Sequence, residues 1–495
     1  MRDLQIKFIT NTVTRRWMRI LSVIEQEKKF TIAGLAERVD TSNRTIIKDI
    51  AKLKKYFFNI AEFIPKNTGY IFKEIDRVLY REKKTLLLEE ELWFEVIGNI
   101  FWGDLENLSN LADYYHYSES QIQRFFLQVE PIFTDYGIRL TQNPVNLTGK
   151  EANIRKFFYD FFYEGEQTPY TVYPPEGLHE IVLSHLSNDL GNYEIDTGAM
   201  AQSFYYYLFI SMIRSSQKQF IELPQIVRQM IFDHKRDFVL LESLIPLIKK
   251  EYGINLSKDE VIGIHLLTAS QRTSDNLVAE KLFYERFNQW PQITVLVNDF
   301  IKEEQILNQG KQEIFTFLLS FFLSRKINEV ISPIWNKQLK EEKQIVKEFY
   351  PIEYNRFVNF IIKRNKELRL FDDNIEDIAT SLTMLMEILL TKYSVSKKII
   401  FILEGNHLLI QLIRTQAQIF LQSKYDVFFV PIECQTENFL SGQDVDLIVT
   451  NYRPYLLDYV IKKDYLLINK VPDKQDWINI ITYLNPLMSK VFHNY

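Results

Sequence analysis

Cysteine is almost absent from these 495 residues: Cys434 is the single one. One thiol forms no intramolecular disulfide, and a thiolate metal site needs several. Glycine and proline are scarce as well, at 15 each, which disfavours turn-rich sheet and favours long helices. Long apolar runs are also missing. The stretches "FYYYLFISMI" and "IFTFLLSFFL" stop far short of the roughly 20 residues that a bilayer-spanning helix needs. No uninterrupted apolar segment precedes Arg15 and Arg16, so no secretory signal is expected. A Gly-rich phosphate loop and a metal-ligand cluster are lacking too. These absences lead us to expect a cytoplasmic protein with no membrane partner, no cofactor, no metal and no catalytic residue.

What is present is ordinary globular material, with 46% apolar and 25% charged residues. At about 150 residues per domain, the length implies three domains or more. The formal net charge of -5 says little, but its distribution is uneven. Residues 1–73 hold 15 Lys and Arg against 7 Asp and Glu, a local net of +8. A basic end on an acidic chain points to a polyanion partner.

Inside that end, "SNRTIIKDIAKLKKYF" places Ile46, Ile50, Leu53 and Phe57 on one helical stripe. Upstream, "RRWMRILSVIEQE" reads as a helix with Trp17, Ile20, Leu21 and Ile24 inward. "FTIAGLAERVD" reads as a second helix, with Thr31 as N-cap and Leu35, Ala36 and Val39 inward. Ser42 caps the third helix. "IAEFIPKNTGYIF" alternates apolar residues about Asn67-Thr68-Gly69 like a hairpin. The order is that of a winged helix-turn-helix, whose third helix enters the DNA major groove. Ser42, Asn43, Arg44 and Thr45 stand at its leading end, where Asn43 and Arg44 match adenine and guanine edges. Lys48, Lys52 and Lys55, with Lys66 at the hairpin tip, suit phosphates, which fix register without reading sequence. A merely solvated basic face is the structural alternative.

A second pattern of the same shape begins at Asn107. Asn107–Tyr115 and Ser118–Phe133 read as its second and third helices, and "YGIRLTQNPVNLTG" as its wing. Its charge is opposite, with 7 Lys and Arg against 14 Asp and Glu over residues 82–164. Arg124 is the only cation on the candidate recognition helix, so counterion release offers little. Assembly or domain coupling is the expected role, with Arg124, Arg139 and Lys150 as a secondary DNA contact.

Further on, "FYYYLFISMIR", ending at Arg214, has a counterpart in "FTFLLSFFLSR", ending at Arg325. "KKEYGINLSKDEVIGIHLL" has one in "NKELRLFDDNIEDIATSLT". The matched offsets suggest a duplicated all-helical domain from about Tyr170 to Lys392. Beyond it, "KKIIFILEG", "YDVFFVP", "VDLIVTN" and "DYLLINKVP" read as strands among helices, an α/β unit with a mostly parallel sheet.

The basic "SNRTIIKDI" helix, a second unit ending "LTGKEANIRKFF", helical repeats and a tail ending "VDLIVTNY" together resemble the Mga/AtxA-like transcriptional regulators of Gram-positive bacteria. The resemblance covers nearly the whole chain in domain order. It implies DNA-binding regulators, often of virulence or colonisation genes, with middle repeats like phosphotransferase-system regulation (PRD) domains and a tail like a sugar-phosphotransferase IIB (EIIB) component. The domains expected are 1–75 and 76–168 (helix-turn-helix units), 169–286 and 287–393 (PRD-like repeats) and 394–495 (EIIB-like α/β).

In PRD-type repeats histidines accept phosphate. Here the resemblance puts His265 at the second such position and Tyr207 at the first. The corresponding positions of the second repeat fall near Leu318 and Ala379, and no histidine lies between His265 and His407. Phosphate-based histidine control of the second repeat is thus excluded. On an apolar helix His265 is alternatively a core residue. His185 and His179 are secondary candidates, and His234 reads as a surface residue. The IIB tail lacks its nucleophile: "LEGNHLL" supplies Glu404, Gly405, Asn406 and His407 where a cysteine belongs, and Cys434 follows the second strand instead.

The expectation is a transcriptional regulator, not an enzyme, that binds double-stranded DNA and forms a homodimer or larger oligomer through its C-terminal domains. Its middle domains would sense a metabolic or phosphotransferase signal, with a phosphocarrier as partner. An RNA-binding antiterminator is disfavoured by the helical N-terminus, a phosphotransfer enzyme by the missing nucleophile, and a scaffold by the +8 end.

Overall fold

The computed structural model describes residues 2–186, 195, 200–233, 235–306, 310–371, 373–393, 397–421, 425–430, 445–453 and 464–484. They fall into two compact units. One lies within Met1–Glu304, Phe315–Gln344 and Arg356–Leu382, the other within Gln305–Ile314, Ile345–Asn355 and Thr383–Tyr495.

A short helix α1 (Asp3–Lys7) precedes the first winged unit: α2 (Thr12–Glu27), β1 (Lys29–Phe30), α3 (Ile32–Val39), α4 (Asn43–Tyr56), β2 (Ala61–Lys66) and β3 (Gly69–Glu74). The caps fall where the sequence predicts: Thr31 accepts from the Gly34 N–H and Ser42 from the Thr45 N–H. Ile46, Ile50, Leu53 and Phe57 are buried, as are Ile20, Leu21 and Ile24 of α2 and Leu35, Ala36 and Val39 of α3. Trp17 differs from expectation. It is only half-buried, and Met18 takes the core position, because the Trp17 indole N–H is drawn sideways to Asp49 at 3.1 Å. The hairpin pairs Lys66 with Gly69, so Asn67 and Thr68 alone form the loop, and β1 adds a third antiparallel strand in the order β1-β3-β2.

The second unit comprises α5 (Arg77–Thr85), α6 (Leu92–Trp102), α7 (Leu108–Tyr114), α8 (Glu119–Thr134), β4 (Ile138–Gln142), β5 (Val145–Gly149) and α9 (Glu151–Phe162). Ser118 and Gln121 form a capping box that starts α8. Its core is aromatic: Phe133, Phe157 and Phe161 pack with one another and with Phe8 from the chain's beginning. Gln5 seals that contact by donating to the carbonyls of Phe161 (3.0 Å) and Glu166 (2.9 Å). Glu91 accepts from Thr10 just ahead of α2, and Lys84 joins Glu25 of α2 to Glu166, each at 2.8 Å. The two winged units are therefore held to each other by polar bonds as well as by apolar burial.

Helices follow: α10 (Glu176–Leu186), α11 (Met200–Ser216), α12 (Gln225–Asp233), α13 (Lys235–Glu242), α14 (Leu244–Tyr252), α15 (Lys258–Ala269), α16 (Leu277–Phe287), α17 (Gln292–Glu303), α18 (Lys311–Ile331), α19 (Lys340–Phe349), α20 (Pro351–Leu368) and α21 (Ile375–Tyr393). No strand interrupts them among the described residues. The sequence-matched segments fall on like elements, α11 with α18 and the α14–α15 step with the α20–α21 step.

The tail holds β6 (Lys398–Ile402), α22 (His407–Leu421), β7 (Asp426–Phe429), β8 (Leu447–Thr450), β9 (Tyr465–Leu467) and α23 (Lys474–Leu484). Every pairing among the described strands is parallel, in the order β7-β6-β8-β9. Ile399, Phe401, Leu447 and Val449 on one sheet face pack against Ile413 and Ala417 of α22 and Trp477 and Ile480 of α23. This is the α/β unit expected from the alternation of strands and helices. Cys434 lies outside the described residues.

Candidate nucleic-acid interface

The first turn of α4 is fixed by its own polar side chains. Ser42 Oγ accepts from the Thr45 N–H at 3.2 Å, and the two hydroxyls lie 2.9 Å apart. This leaves Asn43 and Arg44 exposed at the leading end, with Thr45 half-buried. Arg44, Lys48, Lys52 and Lys55 follow at steps of four, four and three, so one stripe carries all four opposite the buried one. All four are exposed, and so is Lys66 at the end of β2. Among the described residues no ion pair engages any of these five cations. Neighbouring cations are otherwise occupied: Lys28 with Glu74 at 2.6 Å, Arg38 with Glu27, and Lys54 over the Tyr70 ring at 4.7 Å. The outer face of α4 therefore keeps its charge available to an external anion.

Two residues of this site were not foreseen. Asp49, on the inner face of α4, is 2% exposed. It accepts from Trp17 and from both Nε and a terminal nitrogen of Arg16, the latter at 3.1 Å. The bond to Asp49 raises the Arg16 guanidinium above its ordinary value, and the pair locks α4 against α2. Ile47 stands beside the cationic stripe, 57% exposed, an apolar side chain of the kind that meets a thymine methyl.

The second unit repeats the shape without the charge. Arg124 is exposed on α8, Arg139 on β4, and Lys150 just ahead of α9. They stand at three separate places in the unit, and exposed Glu119 and Glu130 share α8 with Arg124.

The histidines lie elsewhere. His265, on α15, is wholly buried, with the rings of Phe238 and Phe287 at 6.1 and 6.0 Å. Burial lowers its pKa to about 4, so the ring is neutral at neutral pH, and phosphate reaches it only if α15 opens. His185 Nε2 lies 2.7 Å from Ser243 Oγ, and the His179 ring is 4.9 Å from that of Tyr205. His234 lies outside the described residues. Tyr207, Leu318 and Ala379 are buried. In the tail the Glu404 N–H donates to Asn451 at 2.8 Å, Asn406 accepts from the Leu408 N–H at 2.9 Å as the cap of α22, and His407 is exposed.

Comparison with known proteins fits this arrangement. Residues 16–71 match a model described as an HTH domain, and residues 77–162 match the Mga helix-turn-helix domain. These matches support the resemblance to the Mga/AtxA-like family. The curated relatives that it matches are named as regulators and not as enzymes. Its relatives include the capsule synthesis positive regulator AcpB of Bacillus anthracis, 22% identical over 95% of this chain and 98% of that protein. AcpA of the same organism, also a capsule synthesis positive regulator, is 20% identical over 79% of this chain and 82% of its own length. No helix among the described residues of this chain is long and apolar enough to cross a membrane.

Proposed function

We propose that this regulator binds double-stranded DNA through α4, with Asn43 and Arg44 at base edges and Lys48, Lys52, Lys55 and Lys66 on phosphates. One observation carries the reading: an exposed cationic stripe on a capped helix, with no intramolecular counter-charge among the described residues. Ser42 and Thr45 set the direction of the helix. Arg124, Arg139 and Lys150 form a secondary contact. Oligomerisation follows from mechanism, since one recognition helix reads few base pairs and paired half-sites add affinity. We place self-association in the C-terminal EIIB-like domain, 394–495. The PRD-like repeats, 169–286 and 287–393, sense a metabolic or phosphotransferase signal, with a phosphocarrier acting on His265 or His185. The setting is the cytoplasm, and the two relatives, named as positive regulators, favour an activating role.

The test compares wild type with an Arg44→Ala/Lys48→Ala double variant on a fluorescent promoter-length duplex at several salt concentrations, beside a matched RNA hairpin. The double variant should lose most of its affinity, and the slope of log K against log salt should become shallower by about one to two. Equal binding by both proteins removes α4 from the interface. Binding of the hairpin alone supports the antiterminator instead.

A further inference from the structure

Arg214 and Arg325 end matching segments of α11 and α18, but their surroundings differ. Arg214 is saturated, with Nε and a terminal nitrogen each 2.8 Å from a Glu151 carboxylate oxygen. Arg325 has no carboxylate partner among the described residues. Its Nε reaches only Ser324 Oγ, at 3.3 Å, and its guanidinium lies over the Phe321 ring. Desolvation lowers its pKa to about 10. A partly buried cation without a counter-ion is costly unless something outside the chain supplies the charge.

Arg325 borders a cavity of about 220 Å³ where α9, α11, the end of α15 and α18 converge. Two other wall residues carry buried polar atoms with no hydrogen-bond partner among the described residues: the Ser270 hydroxyl and the Trp335 indole N–H. Those residues are 2% and 7% exposed. Unpartnered buried donors are rare and call for an explanation. The remaining cations on the wall are already engaged, Lys156 with Asp160 at 2.6 Å and Lys337 with the Asp135 carbonyl at 2.6 Å. Trp335 and Tyr207 meet edge to face, their centroids 5.4 Å apart, and give the cavity an aromatic side. Glu164 and Glu342 also line it.

We propose that this cavity is a binding site for a small organic anion whose head group pairs with Arg325. The indole N–H and the Ser270 hydroxyl complete the donor set. Hydroxyl or amino groups at the other end of the ligand donate to Glu164 and Glu342, so a bare inorganic ion does not satisfy the walls. The volume lies below the roughly 300–1,000 Å³ of drug-sized pockets, which restricts the ligand to metabolite size. The head is a carboxylate or a phosphate, both of which suit a guanidinium. Because α9 belongs to the second helix-turn-helix unit and α11, α15 and α18 to the helical repeats, the ligand bridges the regulatory and DNA-proximal parts of one compact unit.

The experiment is thermal unfolding of the full chain without DNA, so its outcome is independent of the α4 assignment. The probes are glucose 6-phosphate, glycerol 3-phosphate, citrate, L-glutamate and inorganic phosphate, each titrated to millimolar concentration. At least one organic anion should raise Tm by about 5 °C near saturation, and Arg325→Gln should abolish the rise. The phosphate esters and the carboxylates form separate arms that identify the head group. Trp335→Phe, which keeps an aromatic wall but loses the indole N–H, should weaken the response several-fold, and it carries the test if Arg325→Gln does not fold. No rise with any probe, an equal rise in Arg325→Gln, or a response to inorganic phosphate alone would overturn the proposal.

Discussion

His265 shows what burial does to a single titratable residue. The fold holds its ring neutral among Phe238 and Phe287, and burial alone lowers the pKa, from 6.5 to about 4. Below pH 6.5 the unfolded chain takes up a proton that the folded chain refuses. The stability tied to this residue is therefore complete above about 6.5, falls as pH drops, and levels off below about 4, a loss of roughly 3 kcal/mol. His265→Gln should flatten that dependence. Hydrogen exchange of the α15 amides, measured in wild type and variant between those pH values, tests it, and parallel curves would refute it. Not every decisive residue is as visible in the sequence. The exposed stripe from Arg44 to Lys55 was legible because helical periodicity alone separates it from the buried one. Asp49 was not, since a carboxylate in "KDI" reads as surface charge and its partners Arg16 and Trp17 lie 33 and 32 residues away. The unmatched charge of Arg325 was equally hidden, because a missing counter-ion is a fact of three-dimensional neighbours.

At the scale of elements, the wing depends on one backbone position. Gly69 opens β3 with φ +139°, and a Cβ there would stand 2.3 Å from the Phe30 carbonyl oxygen, the backbone of β1. Any side chain must push β1 off β3, beyond the intrinsic strain of that φ, so Gly69→Ala should cost about 2 kcal/mol or more. Gly253 is the internal control: φ is +69° but a Cβ would meet nothing within 4 Å, and Gly253→Ala should cost about 1 kcal/mol. Denaturant midpoints of the two variants give the comparison, and equal losses would count against a steric role for the β1 backbone. The hairpin itself was readable from alternation about Asn67-Thr68, whereas β1 was not. Two residues are too few for a period, and only pairing with β3 makes Lys29–Phe30 a strand. The second winged unit was readable for a related reason: its paired helices and hairpin recur even though its charge is reversed.

At the scale of the whole molecule, the link between the second helix-turn-helix unit and the helical repeats is a buried charge cluster. Arg155 of α9 donates to Glu260 of α15, to Ser211 of α11 at 3.0 Å and to the Gln219 carbonyl at 3.1 Å. Glu151 of α9 accepts from both Arg155 and Arg214. Two arginines and two glutamates balance, and Glu260, which also accepts from the Ile221 N–H, is wholly buried. Such a cluster adds little net stability over apolar packing, yet removing one member strands a charge. Nothing in the sequence announced it. Arg155 sits within "EANIRKFF", where the family resemblance was visible, but Glu260 follows more than a hundred residues later. Glu260→Gln should therefore cost about 3–5 kcal/mol. A double change that removes both members of the pair, Arg155→Met/Glu260→Leu, should recover most of that loss. If the cluster also orients α9 for regulation, the double variant will regain its melting temperature while its DNA affinity no longer responds to anions that bind beside Arg325. Recovery of both properties would make the cluster a structural fastening and nothing more.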